Sequence, residues 1–197
     1  MNILITVAHP DDETIGMGGT IKKLSKNNEI TLCVMTDGAS AQYNGKKMIK
    51  VRQDACKKAG KILGISKFHF LNFPDMKLDS ISHVEMNKEL EKIIKKFNPK
   101  ILYSTSYNDL NKDHQKVFES CSVISRPLSS KIKKFLCFEM GGRNKIPFNP
   151  NTYVDISKEL SFKLKALNQY KTEINPFPHE RSLKFIESLS HVRGVES

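Results

Sequence analysis

The chain is predicted to be α/β: a Rossmann-like, doubly wound, mostly parallel sheet of order 3-2-1-4-5 with a C-terminal helical and loop extension. Three observations predict it. Short apolar runs alternate with helix-like stretches as far as Ser125, which is the pattern of a parallel sheet covered on both faces. The first run, Ile3-Leu4-Ile5-Thr6-Val7, is β-branched and apolar, as a buried strand requires. The first and fourth runs both empty into loops dense in histidine and carboxylates, and the carboxyl ends of parallel strands are where such folds bind ligands.

The first strand is broken by Pro10, and a helix starts near Glu13 and carries Gly16, Gly18 and Gly19. Glu29 to Met35 is a second strand ending in Thr36-Asp37-Gly38. A loop around Asn44-Gly45 leads to a helix from Lys46 to Leu63, closed by Gly64. Lys67 to Leu71 is a third strand, followed by Asn72-Phe73-Pro74-Asp75. Val84, Met86, Leu90, Ile93, Ile94 and Phe97 recur at helical spacing, and Asn98-Pro99 stops that helix. Lys100 to Ser104 is a fourth strand, after which Thr105 to His114 form a polar loop and a helix resumes through Ser125. Lys133 to Glu139 is a fifth strand, and the Gly/Pro/Asn-rich stretch from Gly141 to Asn151 is a long, lid-like loop. Thr152 to Asp155 is short and extended. Ser157 caps a helix bearing Leu160, Leu164 and Leu167, and a last helix covers roughly Glu180 to Ser190.

A length of 197 residues suits one domain, 1–197. The net charge of +11 is mostly lysine, spread through helical stretches with few aromatics between. That suits a solvated surface or attraction to anionic small molecules, and it lacks the basic stripe and stacking rings of a nucleic-acid binder. Cys33, Cys56, Cys121 and Cys137 form no Cys-x-x-Cys pair, so buried thiols in a reducing compartment are expected. No apolar stretch reaches membrane-spanning length, and a cytoplasmic location is expected. Nothing in the chain sets an oligomeric state.

Order 3-2-1-4-5 makes strands one and four neighbours, so the crevice between their carboxyl ends is the switch point. It brings His9, Asp11 and Asp12 opposite Asp109, Asn111, Asp113 and His114. Two histidines and a carboxylate meeting there make a half-open metal site that suits Zn²⁺ and also resembles the facial triad of non-haem Fe²⁺ proteins. Taken singly, Asp11-Asp12-Glu13 and Asp113-His114 are also ordinary helix-start chemistry. A dinucleotide-binding domain is a poorer fit. The glycines lie inside the helix, and Asp11 and Asp12 would repel a pyrophosphate at its N-terminus.

Ala8-His9-Pro10-Asp11-Asp12-Glu13 followed by Gly16-x-Gly18-Gly19 resembles the signature of the PIG-L/LmbE-like family of zinc-dependent N-acetyl-sugar deacetylases. Thr36-Asp37-Gly38, Arg52, Leu63-Gly64, Asp75 and Asp109-Leu110-Asn111-Lys112-Asp113-His114 match its later landmarks. Arg126-Pro127, Phe138-Glu139 and the stretch from Tyr170 to Gly194 resemble a bacterial branch associated with surface polysaccharides. The resemblance implies His9, Asp12 and His114 as metal ligands and Asp11 as general base. It implies Asp113 as the residue orienting a ligand or the substrate, and Arg52 and Asp75 as substrate-gripping. His179 and Arg181 are further candidates to line the pocket from the C-terminal end. Many members have histidine where this chain has Asn111, so asparagine is expected to take over oxyanion stabilisation as a hydrogen-bond donor. The implied substrate is a GlcNAc-type acetamido sugar, and the basic balance of the chain suits an anionic one, nucleotide- or lipid-phosphate-linked. The implied cofactor is Zn²⁺, with Fe²⁺ as the alternative, and a non-catalytic metal- or sugar-binding relative is the rival reading.

Overall fold

A computed structural model of the chain describes residues 1–43, 46–142 and 144–197, and the turn expected at Asn44-Gly45 lies outside them. Five parallel strands form one sheet in the order β3-β2-β1-β4-β5. They are β1 (Asn2–Val7), β2 (Glu29–Thr36), β3 (Lys67–Phe73), β4 (Ile101–Ser104) and β5 (Lys134–Cys137). The helices are α1 (Asp12–Leu24), α2 (Lys46–Leu63), α3 (His83–Phe97), α4 (Lys112–Ile124), α5 (Leu160–Leu167) and α6 (Leu183–Val195).

β1 is central, and alternation along it divides the core. Ile3, Ile5 and Val7 face a cluster with Ile15 and Ile21 of α1, Ala59 and Leu63 of α2, Leu167 of α5 and Ile186 of α6. Leu4 and Ala8 face the opposite cluster, with Met86, Leu90 and Ile93 of α3 and Val117 and Cys121 of α4. A strand buried on both faces has no polar side to show, which is why its sequence reads as a continuous apolar run.

The elements depart from expectation mainly in the last third. β5 stops at Cys137, although Phe138 N–H still donates to Ser104 O at 3.1 Å. α5 begins at Leu160 rather than after Ser157, because Asp155 Oδ1 takes both the Ser157 N–H (2.9 Å) and its hydroxyl (2.6 Å) in a preceding turn. Residues 152–155 pair with no strand. α6 is capped by Ser182 Oγ, which accepts from Phe185 N at 3.1 Å, and runs on to Val195. The loop after β5 is tied to the loop after β4 by an Asp109–Asn144 bridge and by Lys145 N–H donating to Asn108 O at 2.7 Å. Among the described residues no helix is long and apolar enough to cross a membrane.

Candidate metal centre

The turn between β1 and α1 is held in an unusual shape. Asp11, the N-cap of α1, adopts φ 141° and ψ −27°, a region that costs a non-glycine residue about 1–3 kcal/mol. Its carbonyl accepts from Thr14 N (3.0 Å) and Ile15 N (2.9 Å), so the helix is anchored on the strained residue. Asp12 Oδ2 reaches back to the His9 N–H at 2.8 Å and closes the turn. Gly38, at φ +64°, packs under Pro10; a Cβ there would lie 2.3 Å from Pro10 Cδ.

The parallel pairing of β1 with β4 brings the loop after β4 alongside this turn. His9 Nδ1 lies 3.2 Å from His114 Nε2, Asp12 Oδ2 lies 3.5 Å from His9 Nδ1, and Asp12 Oδ2 lies 3.3 Å from His114 Nε2. All three residues are buried. Ligand atoms about 2.0–2.1 Å from a tetrahedral zinc lie about 3.3–3.4 Å from one another. The three separations bracket that value, and Asp12 Oδ1 is buried without a partner. The residues therefore fit a divalent metal.

The second nitrogen of each histidine is also engaged. His114 Nδ1 lies 2.7 Å from Asp109 Oδ2. His9 Nε2 faces Asp113 Oδ2 at 3.1 Å and Asp75 Oδ1 at 3.2 Å. His9, Asp75 and Asp113 form a second cluster with metal-like spacing. There, however, both Asp113 oxygens already accept backbone N–H groups, from Met76 at 2.8 Å and Leu78 at 3.0 Å. Each bond takes one lone pair of its oxygen, and His9 Nε2 faces Oδ2 as well, so the cluster suits orientation of His9.

The charges agree. Burial pushes His9 down, but the carboxylates of Asp113, Asp12 and Asp75 outweigh it and hold the imidazole well above its ordinary value. Burial likewise opposes protonation of His114, which Asp12 and Asp109 nevertheless raise to about 9. Burial would raise Asp12, yet the two histidines hold it well below the carboxylate range. The carboxylates that favour a proton on these rings would equally favour a bound cation.

Asp11 stands apart from that ring. It is fully buried and neither side-chain oxygen has a hydrogen-bond partner. Arg52 Nη2 lies 3.6 Å from Oδ1, and Arg181 Nη1 lies 3.4 Å from Oδ2. Burial raises its carboxyl above the ordinary value, against the pull of both arginines. Glu173 bridges the same arginines, at 3.5 Å from Arg52 and 2.8 Å from Arg181.

The other expected site residues are distributed as follows. Arg52 is buried, and besides these ion pairs it donates to Gly38 O and to Pro10 O (3.1 Å), so it fixes the turn from inside. His179 is exposed and its Nδ1 accepts from Arg181 N at 3.0 Å, a turn contact. Asn111 is the N-cap of α4: Oδ1 accepts from Asp113 N at 2.8 Å, and Nδ2 points to Met76 Sδ at 3.6 Å. Two further acidic groups had no role assigned from the sequence, although the second lies inside the first motif. One is Glu173. The other is Glu13, which burial pushes up to about 7 and whose Oε1 accepts from Tyr170 Oη at 2.5 Å. Tyr170→Phe should therefore cost about 1–3 kcal/mol in a denaturant melt.

Comparisons with known proteins bear on the family and the fold. The profile of the PIG-L family, described as GlcNAc-PI de-N-acetylase, matches residues 4–124. The diacetylchitobiose deacetylase of Thermococcus kodakarensis is 28% identical over 195 residues, covering 90% of this chain and 71% of its own. The uncharacterized deacetylase YaiS of Escherichia coli is 31% identical over 180 residues, covering 86% of this chain and 90% of its own. Among solved structures, the N,N'-diacetylchitobiose deacetylase of Pyrococcus horikoshii superposes with a TM-score of 0.81 at 25% identity, covering 99% of this chain and 79% of that one.

Proposed function

The chain belongs to the PIG-L family, and from that premise we propose that it is a metal-dependent hydrolase removing the N-acetyl group from a GlcNAc-type acetamido sugar. The observation that carries the proposal is the convergence of His9 Nδ1, Asp12 Oδ2 and His114 Nε2 at 3.2–3.5 Å, with Asp11 beside them. These three atoms would hold the metal, Zn²⁺ or Fe²⁺. Bound there, it would supply Lewis acidity, which acidifies water and polarises an amide carbonyl.

The rest is done by the chain. Asp11 takes the proton of the attacking water and returns it to the leaving nitrogen. Its buried, unpartnered oxygens and raised pKa support that role, because a base protonated nearer neutrality both accepts and releases a proton readily. Arg52, Arg181 and Glu173 keep its side chain in place. Asp109 fixes the tautomer and direction of His114, and Asp113 with Asp75 does the same for His9. Asp109→Asn should weaken metal affinity about 10–100-fold, read as the metal retained against a chelator series.

Asn111 is proposed as the oxyanion donor. Its Oδ1 is committed to the helix cap, which leaves Nδ2 as a fixed donor. Asn111→Ser keeps a capping oxygen but shortens the donor. Stability should change by only a few tenths of a kcal/mol, while kcat falls about 10²–10³-fold. An unchanged kcat would reduce Asn111 to capping alone.

The net charge of +11 supports an anionic conjugate, nucleotide- or lipid-phosphate-linked. The deciding experiment is acetate release by the metal-loaded protein across neutral and anionic acetamido sugars. Release from an anionic member, abolished by chelator and restored by metal, is the expected result. Stoichiometric metal with no release across the panel would overturn the proposal in favour of a non-catalytic binder.

A further inference from the structure

A cavity of about 710 Å³ opens beside α1, with none of the metal-centre residues lining it and with walls from α1, the β4–β5 edge, residues 148–157, α5 and α6. That volume is in the range of small-molecule sites. Its walls are largely apolar, with Ile15, Phe138, Val154, Ile156 and Ile186 among them, and α1 loses helical geometry at the wall residue Met17 (φ −135°, ψ 22°). One lining group does not fit an apolar interior. Lys163, on α5, is only 6% exposed, and its ammonium makes no hydrogen bond or ion pair with any described residue.

The neighbouring charges do not compensate it. Glu139 is occupied by Arg193, through Nε to Oε2 at 2.7 Å and Nη2 to Oε1 at 2.7 Å. Asp155 Oδ1 is taken by Ser157. Burial pushes Lys163 down to about 8, and the charge of Glu139 opposes the shift. The lysine stem is held in place by α1: a Cβ at Gly18 would lie 3.0 Å from Lys163 Cγ. An unpaired buried cation is costly, and a matching anion in the cavity would remove that cost.

We infer that this cavity is a binding site for an organic monoanion with an apolar body, a medium-chain carboxylate by class, whose head meets the Lys163 ammonium. Among the described lining residues Lys163 is the one uncommitted Lys or Arg side chain, which suits a monoanion rather than a phosphate dianion, and aliphatic walls suit an alkyl chain. The site is separate from the metal centre and does not depend on the proposed hydrolysis.

Titrating decanoate into the full chain by calorimetry tests it, with 1-decanol as the neutral probe. Saturable uptake of one decanoate per chain is expected. Lys163→Met keeps the stem and removes the charge, so it should weaken decanoate at least about tenfold and leave 1-decanol unchanged. Val154→Trp, at a wall position 38% exposed, should fill the cavity and reduce both probes in a protein of native circular dichroism. If Lys163→Met does not fold, Val154→Trp decides: loss of decanoate supports the site, and retention overturns it. No uptake by the wild type, equal uptake by folded Lys163→Met, or a dimer that excludes decanoate would each overturn it.

Discussion

Asp11→Asn should lower kcat by about 10²–10⁴-fold while the protein keeps its full complement of metal. Asparagine is the informative replacement. It has the shape of aspartate and shares its tolerance of positive φ, so it can occupy the φ 141° position that alanine could not hold without added strain. What it removes is the negative charge and the proton acceptor. The metal triad is untouched, because Asp11 makes no hydrogen bond to His9, Asp12 or His114. The pH profile gives a second reading. A base must be deprotonated to act, so wild-type activity should fall as pH drops through the Asp11 pKa. Burial raises that pKa above the ordinary carboxylate range, and the acid limb should lie correspondingly high. With metal kept saturating at each pH, the variant should lack this limb. Unchanged kcat at full metal content would remove Asp11 from the mechanism and leave it as a strained helix cap.

How far this site could be read from the chain depends on how local each contact is. The strand order was legible because strands and helices alternate and β1 is apolar on both faces. The two loops of the candidate metal centre were legible because each carries its polar residues within a few positions of a strand end, and the topology alone makes them neighbours. The orientation within the loops was not. Asp109 and Asp113 lie four residues apart at the start of one helix, and either could have turned toward His114. The cap decides it: Asn111 Oδ1 takes the Asp113 N–H, Asp109 reaches His114, and Asp113 faces His9 and the backbone after β3. Cap geometry of this kind depends on φ and ψ at single residues, which residue type only biases.

The arginines show the other limit. Arg52 sits in a lysine-rich helix and by composition belongs to its solvated face, yet it is buried. What turns it inward is a set of acceptors distant in sequence: the carbonyls of Pro10 and Gly38, and the carboxylates of Asp11 and Glu173. Glu173 lies in an irregular stretch with no periodicity to mark it, and Glu13 is matched by Tyr170 across 157 positions. Pairings at that separation are set by how α5 and the following turns pack on α1. Single-sequence patterns carry no term for that.

His114→Ala should abolish stoichiometric metal binding, an effect larger than the about 10–100-fold expected from removing an orienting residue such as Asp109. The triad supplies three donor atoms, two from the turn into α1 and one, His114, from the first turn of α4. Its loss leaves His9 and Asp12 on one turn, too few to close a tetrahedral site. The apo variant should also be less stable, because Asp12 and Asp109 lose a buried partner, at a cost of about 3–5 kcal/mol for a broken buried pair. Reduced metal content alone could therefore reflect unfolding, and linkage separates the two. A ligand that binds only the folded state stabilises it by about 2.7 kcal/mol when present at 100 times its Kd. Adding Zn²⁺ should raise the melting temperature of the metal-free wild type, and less so as pH falls, because His9 and His114 must first release protons. In His114→Ala the melting temperature should start lower and stay flat across the titration. A variant that melts lower but still climbs with Zn²⁺ as the wild type does would place the metal elsewhere, and the His9–Asp75–Asp113 cluster would then be the site to test.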